Sequence, residues 1–177
     1  MSDANSDTLE KTSDTSAATE SAPKPDPALK RLEPLVGTWR LKGHVIGSDE
    51  YSITGVTTFK WLHLDGNDLD TGFFLQQDME MDYAGKPISA HELIGYNPMT
   101  KAFSSHVYSN VAPDPWPYEW DMQGDRWTIS IKYGPMDAEF NGELSADGNS
   151  FSGGWRPRPG ADEKINSAYD VRGTRIA

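Results

Sequence analysis

Few side chains in this sequence could act as a general acid or base, and no two of them have a spacing that indicates a catalytic pair. A general acid or base works inside a dry pocket, and the candidates for such a role are His106, Tyr108 and Glu92. The histidines, at positions 44, 63, 91 and 106, have no i, i+4 pairing or compact ligand spacing. Three strands would have to converge to form a metal site, so we predict none. Whether the protein is an enzyme stays open at this point.

Signatures of other chemistry are missing from the sequence. The chain has no cysteine, which removes disulfides, thiolate nucleophiles, cysteine-ligated zinc and iron–sulfur clusters. It also has no serine nucleophile motif, phosphate-binding glycine loop or dinucleotide fingerprint, since Gly153-Gly154-Trp155 falls in a predicted strand and precedes no helix. We therefore expect no cofactor.

Alternating residues predict an interior rich in aromatic and methionine side chains. The odd positions of 51–63 and of 73–81 carry most of the large apolar residues, opposite mainly polar ones. Flat rings and flexible thioethers suit the wall of a cavity for a small apolar or aromatic molecule, but they would also fill a wide barrel. The predicted ligand contacts are Tyr51, Phe59, Trp61, His63, Phe73, Gln77, Met79, Tyr96, Tyr118, Trp120 and Arg156.

The inward face of strands 87–96 and 102–109 is ambiguous from the sequence. Glu92 and Tyr96 compete with His91 for the interior on the first strand, and on the second the position of His106 is equally open. Polar chemistry inside the barrel would come from these two strands. His106 and Arg156 are the alternative polar anchors for a ligand.

The elements that must position these side chains form an all-β fold. Period-two patterning after residue 37 is broken by tight-turn sequences such as Asn97-Pro98-Met99-Thr100. Long strands leave exposed edges unless the sheet closes, so we predict a single up-and-down antiparallel barrel of about ten strands. A short helix at 27–34, with Leu29 and Leu32 on one face, can plug one mouth of it. The strands are expected at about 38–46, 51–64, 68–83, 87–96, 102–109, 118–123, 125–133, 136–144, 150–156 and 166–175.

One long connection interrupts the barrel pattern. The segment 110–118 carries three prolines around Trp116 and is therefore rigid. It can form a lid over the mouth of the barrel, or its tryptophan can pack against the rim.

Composition separates an acidic tail from one domain. Residues 1–26 are rich in Ser, Thr, Asp, Ala and Glu and have almost no large apolar residues, so we expect a disordered tail followed by a barrel domain over 27–177. The formal net charge of -11 disfavours nucleic acid and anionic membranes as partners. No run is apolar enough to span a membrane and no signal peptide is recognisable, so we expect a cytoplasmic protein, which could be a homodimer.

The start of the predicted barrel is similar to that of a known superfamily. Leu35-Val36-Gly37-Thr38-Trp39, a short helix running into Gly-x-Trp, resembles the calycins, which include lipocalins, fatty-acid-binding proteins and nitrobindins. The resemblance implies that Trp39 lies at the closed end of the barrel under a basic side chain, either Arg172 or Arg175. Gly95 to Lys101, Gly124 to Thr128 and Asp147 to Gly153 look like a bacterial calycin-like family of unknown function, over about residues 27–175.

The better-known calycins imply specific ligands that this sequence matches poorly. Nitrobindins bind haem through a histidine near the C-terminus, and this chain has no histidine after His106. Fatty-acid-binding proteins hold a carboxylate with Arg and Tyr on late strands, and Tyr169 with Arg172 resembles that pair only loosely.

Three functions remain open on the sequence alone. The first is a binding module that holds a small apolar or aromatic metabolite. The second is a cofactor-independent enzyme of isomerase, cyclase or lyase type, acting in the same cavity. The third is a structural domain with a filled barrel.

Overall fold

The chain forms a closed antiparallel β-barrel. A computed structural model describes residues 23–63 and 72–177. Within them, ten strands follow one another around the barrel, and β1 pairs with both β2 and β10 to close it. The strands are β1 (Gly37–Val45), β2 (Ile53–Trp61), β3 (Phe74–Tyr83), β4 (Lys86–Asn97), β5 (Ala102–Ser109), β6 (Trp116–Gln123), β7 (Arg126–Tyr133), β8 (Met136–Leu144), β9 (Ser150–Pro157) and β10 (Tyr169–Arg175).

The predicted fold class is confirmed, and most strand limits agree within a few residues. The expected tail lies largely outside the described residues, as do the end of the predicted strand 51–64 and the beginning of the predicted strand 68–83. Among the described helices, none has the length and apolar character needed to cross a membrane.

A short 3₁₀ helix, Pro27–Leu35, covers one end of the barrel. Asp26 caps it by accepting a hydrogen bond of 2.8 Å from the backbone N–H of Ala28. Because a 3₁₀ helix has three residues per turn, Leu29, Leu32 and Leu35 fall on one face, and all three are buried in the barrel core. We call this end of the barrel the closed end.

The opposite end of the barrel carries the connections that follow the odd-numbered strands. β1 begins beside the helix and successive strands alternate in direction, so the segments 46–52, 84–85, 110–115, 134–135 and 158–168 lie together at the far end. We call it the open end. The segment 110–118, for which the sequence left a lid and a tryptophan packed on the rim as alternatives, therefore begins at this mouth.

The structure resolves the two strands whose inward face was ambiguous. Glu92 and Ile94 of β4 are buried, and Ser105 and Val107 of β5 are buried opposite them in the register. His106 lies on the outer face, as do the other residues of β5 that alternate with the buried ones.

Candidate functional site

A cavity of about 460 Å³ extends inside the barrel from Leu35, at the end of the helix, to the open end. Every strand contributes to its wall, as expected when inward-facing side chains alternate along each strand. Its volume lies in the range of small-molecule sites, roughly 300–1,000 Å³. The lining is mainly aromatic and aliphatic, with Thr57, Gln77 and Glu92 as polar residues on neighbouring strands, and Lys86, Ser109, Asn166 and Ser167 as polar residues toward the open end.

Glu92 is the buried carboxyl group of this cavity. Its Oε1 atom accepts hydrogen bonds from Ser105 Oγ at 2.5 Å and from Trp120 Nε1 at 2.8 Å. Trp120 Nε1 also lies 3.1 Å from Ser105 Oγ, so the three side chains form one connected group. No donor from the described residues reaches Oε2, which belongs to a side chain that lines the cavity.

Burial controls the ionisation of this carboxyl group. Glu92 is 4% exposed. Loss of solvent raises the pKa of Glu92 to about 7, while the hydrogen bonds from Ser105 and Trp120 and the charge of His91 oppose that rise. The side chain therefore changes between neutral acid and carboxylate near neutral pH.

Tyrosine side chains line the cavity close to Glu92. Burial raises the pKa of the Tyr118 hydroxyl, and the nearby Glu92 and Tyr169 raise it further. Burial likewise raises the pKa of Tyr169, whose ring lies 5.4 Å from that of Tyr83 in an edge-to-face contact. Both buried phenols stay neutral at physiological pH, so they serve as hydrogen-bond donors and acceptors and not as charges.

A second polar pair lies on the adjacent strands. Gln77 donates a hydrogen bond of 2.9 Å to Thr57 Oγ1, and Thr57 donates to the carbonyl of Asp78 at 3.3 Å. Gln77 faces Glu92 across the β3–β4 pair. Thr57, Gln77 and Glu92 therefore lie on the neighbouring strands β2, β3 and β4, whereas Tyr169 brings its phenolic group from β10.

The mouth of the cavity is bordered by two loops. Val111 comes from the connection between β5 and β6, Trp116 is the first residue of β6, and Ile165 comes from the segment between β9 and β10. Asn166 fastens the second loop, accepting from the backbone N–H of Asp137 at 2.8 Å and donating to Asp162 and Pro135 carbonyls. Trp116 thus lies at the rim and contributes to the cavity wall.

About half of the predicted ligand contacts line the cavity. Phe59, Gln77, Met79, Tyr118 and Trp120 do so, together with Glu92 from the acid–base candidates. Contact with a ligand stays a prediction for all of them.

Four of the predicted contacts belong instead to the closed end. Trp61 donates its indole N–H to Glu33 at 2.8 Å, and Tyr96 packs on Phe103 with ring centroids 4.9 Å apart. His63 is exposed beyond β2, and Phe73 precedes β3 at the same end. Their assignment to the cavity is corrected, because the helix and its leucines already fill that end of the barrel.

The remaining predicted site residues face outward. Tyr51 precedes β2 and is 61% exposed, and Tyr108 is 54% exposed. His106 is also exposed, so neither it nor Tyr108 reaches the cavity as an acid, base or anchor. The guanidinium of Arg156 bonds Asp170 at 2.6 Å in a wide, solvent-open groove of about 750 Å³ on the outer wall. On β5, the alternation that buries Ser105 turns His106 and Tyr108 outward.

Several cavity residues were missed from the sequence. Thr57 and Tyr169 carry a polar group in the cavity wall, and the buried Ser105 donates to Glu92. The signal that could have found the site is the column 88, 90, 92 and 94 of β4, in which Glu92 interrupts three apolar residues.

The closed end has its own polar arrangement. Trp39 donates its indole N–H to the carbonyl of Leu35 at 2.9 Å, and the guanidinium of Arg175 lies 4.1 Å from the Trp39 ring centroid. Of the two arginines considered for this position, it is Arg175 that occupies it. Arg172 is exposed on the outer face. Among the described residues, no group of three or more His, Asp or Glu side chains could hold a metal ion.

Fold and site together define a closed ten-stranded barrel with an internal cavity of small-molecule size and one buried carboxyl group. The chain belongs to the family described as "Protein of unknown function (DUF1579)", whose model matches residues 24–151.

A solved structure extends the comparison to nearly the whole chain. The crystal structure of Rv2717c from M. tuberculosis is similar with a TM-score of 0.51 and 15% sequence identity, covering 87% of this chain and 100% of that chain. At this identity the likeness concerns the fold alone. No curated protein matches the sequence.

Proposed function

We propose that this protein binds a small, largely apolar molecule in the barrel cavity and orients it through Glu92. The observation that carries the proposal is the second oxygen of a buried carboxyl group, without a protein donor among the described residues, in a cavity of ligand size. Glu92 as a whole is 4% exposed, and burying a carboxyl group is costly, so a barrel that only needed a filled core would gain by carrying an apolar side chain there.

Neighbouring side chains support a binding role over a purely structural one. The phenolic groups of Tyr118 and Tyr169 lie in the same cavity and accept or donate hydrogen bonds in their neutral form. A few polar groups in an otherwise apolar wall are the usual composition of a small-molecule site, in which the polar groups decide orientation.

The closed end supports a calycin-like origin for the barrel. The 3₁₀ helix leads directly into Gly37-Thr38-Trp39, and Arg175 covers the Trp39 ring, as the resemblance to calycins implies. The carboxylate-binding pair of fatty-acid-binding proteins finds no support, because Tyr169 lines the cavity while Arg172 faces solvent.

Acid–base catalysis in the same cavity is the second candidate function. It is favoured by the pKa of about 7 at Glu92, since a carboxyl group that titrates near working pH can both take up and return a proton. Glu92 is the one predicted acid–base residue that faces the cavity, so an isomerase, cyclase or lyase activity would depend on it. Replacing Glu92 by Gln would then abolish turnover and leave the cavity intact.

The first experiment is a search for a bound molecule in protein purified gently from its own host, by native and denaturing mass spectrometry. A stoichiometric mass difference is expected, and the released compound should be small and largely apolar. The matched variants are Ala90→Phe, which projects a ring into the cavity, and Ala102→Phe, which lies on exposed β5 surface. Ala90→Phe should lose the ligand and Ala102→Phe should retain it.

Two results would count against binding in the cavity. One is a ligand-free mass together with no thermal shift from a panel of small aromatic and aliphatic compounds. The other is equal ligand retention by both variants, which would place the ligand elsewhere. With a net charge of -11, nucleic acid and anionic membranes remain unfavourable partners, and a small molecule is the partner we propose.

A further inference from the structure

The charged groups of the cavity are distributed unevenly. Among its described lining residues, Glu92 and Lys86 alone carry a formal charge at pH 8. Lys86 is exposed at the first residue of β4 beside the open end. Six residues separate it from Glu92, which corresponds to about 20 Å along a strand. The interior therefore holds a carboxyl group without a protein cation to neutralise it.

The hydrogen bonds of Glu92 do not replace that missing cation. Ser105 and Trp120 are neutral donors, and both bond the same oxygen, Oε1. No ion pair within 4.0 Å involves Glu92 among the described residues. A ligand that donates to Oε2 would complete the group, and a positively charged donor would also balance its charge.

Aromatic rings also line the cavity that contains Glu92. Tyr118 and Trp155 pack with ring centroids 5.4 Å apart, and Trp155 contacts Phe140 at 5.8 Å. Trp155 is also paired in register with Tyr169. The faces of such rings carry partial negative charge and attract cations, whereas they repel carboxylates.

We propose that the molecule bound here is an apolar amine, whose protonated nitrogen donates a hydrogen bond to Oε2 of Glu92 while its hydrocarbon or aromatic part packs among the cavity rings. This rests on the proposed binding function and narrows it to one chemical class. Carboxylates, including fatty acids, should bind poorly above pH 7, where they would place a second negative charge beside the ionised Glu92 in a low-dielectric cavity.

Binding of such an amine is coupled to the ionisation of Glu92. The amine is already protonated below pH 9 and pairs best with the carboxylate, so its affinity should increase as pH rises through about 7. The titratable groups that face Glu92 are Tyr118 and, beyond it, Tyr169 inside the barrel, and the neighbouring His91 on the outer face. His91 is bound to Asp78 at 2.7 Å, and a His91→Gln variant separates its contribution.

The test uses three indole probes of similar size and different charge: tryptamine, 3-ethylindole and indole-3-propionate. Binding to ligand-free, full-length protein is measured by calorimetry at pH 6 and pH 8.5, for the native sequence, Glu92→Gln and Glu119→Gln. Glu119 is an exposed residue of β6, so its variant also replaces one carboxyl group by an amide but leaves the cavity untouched.

Tryptamine should bind the native protein at pH 8.5 about tenfold or more tighter than 3-ethylindole, as expected for a hydrogen bond to a charged partner. Indole-3-propionate should bind weakest. Glu92→Gln should remove the preference for tryptamine and its pH dependence, and Glu119→Gln should retain both.

The two proposals fail in different ways. Equal binding of tryptamine and 3-ethylindole, or a preference that survives in Glu92→Gln, would overturn the amine assignment and leave the cavity function standing. Tightest binding of indole-3-propionate would do the same. If no probe binds at millimolar concentration and the purified protein carries no small molecule, both proposals are wrong.

Discussion

The two ends of this barrel use buried tryptophans for different purposes. At the closed end, Trp39 donates to the carbonyl of Leu35, which lies at the end of the helix and would otherwise lack a partner. In the cavity, Trp120 donates to Glu92, whose other oxygen receives no bond from the described residues. The first indole completes a packed layer. The second belongs to a group whose remaining oxygen we propose is bound by a ligand.

Because of this difference, we expect the closed end of the core to determine stability and the cavity to determine binding. The leucines of the helix, Trp39 and Trp61 form a filled plug at the closed end, and removing any part of it leaves a void. The wall of the cavity encloses space that the protein does not fill, so its side chains have fewer neighbours to lose. Substitutions at the closed end should therefore act on folding, and those in the cavity on binding.

The largest contrast is expected between two tryptophans of similar chemistry. Trp39→Ala should lower the free energy of unfolding by about 3–5 kcal/mol, because it leaves a large void and removes the ring under Arg175. Trp116→Ala, at the half-buried rim, should cost about 1 kcal/mol. Urea denaturation followed by circular dichroism measures both. Equal losses would mean that the open end is packed as tightly as the closed end.

A comparable effect is expected for Glu92, but it depends on pH. The native protein keeps a proton between pH 4.5 and about 7 that the unfolded chain has released, so the free energy of unfolding falls as pH rises through this window. At about 1.4 kcal/mol per pKa unit, the ligand-free protein should lose about 3 kcal/mol relative to Glu92→Gln between pH 5 and pH 8.5. Urea titrations at both values test this.

Glu119→Gln is the matched control for that pH dependence. It removes one exposed negative charge, so it should leave the slope of stability against pH as in the native sequence. If Glu92→Gln and the native protein have the same slope, the carboxyl group of Glu92 is not protonated near neutral pH.

A smaller effect is expected for the cation at the closed end. Arg175 donates to the carbonyls of Val36, Pro34 and Gly148 and covers Trp39, thereby fastening the helix to the barrel. Arg175→Gln should cost about 1–3 kcal/mol of unfolding free energy. Arg172→Gln, on the outer face of the same strand, should stay within about 0.5 kcal/mol of the native protein. Similar losses for both would show that the helix is held by its leucines alone.

The smallest effects are expected for the side chains that face outward beside the cavity. His106→Ala and Tyr108→Phe should change stability by no more than about 0.5 kcal/mol and leave retention of any co-purified ligand unchanged. Thermal denaturation and native mass spectrometry are sufficient to check this. Loss of ligand in either variant would indicate a site on the outer wall.

The barrel could be predicted because the sequence patterns that indicate it lie within single strands and the short turns between them. Alternation over 53–61 and 75–81, together with short turns, predicts antiparallel neighbours, and long strands favour closure. The helix was also predictable, since Leu29 and Leu32 are three residues apart after a proline. The candidate site was predicted only in part, because Glu92 and His106 lie in strands whose two faces are similarly polar and apolar.

What the sequence determined by itself is the class of the fold and which side chains face inward on its clearly alternating strands, because the two-residue period is set by the local geometry of each strand. Only the tertiary structure decided which part of that interior is filled and which is cavity. Trp61 and Trp120 are both predicted from the sequence as inward-facing residues of alternating strands. In the structure the helix covers Trp61, whereas Trp120 bonds Ser105 and Glu92, which lie on two other strands. Such contacts between side chains of different strands depend on the register around a closed sheet, which no single strand encodes.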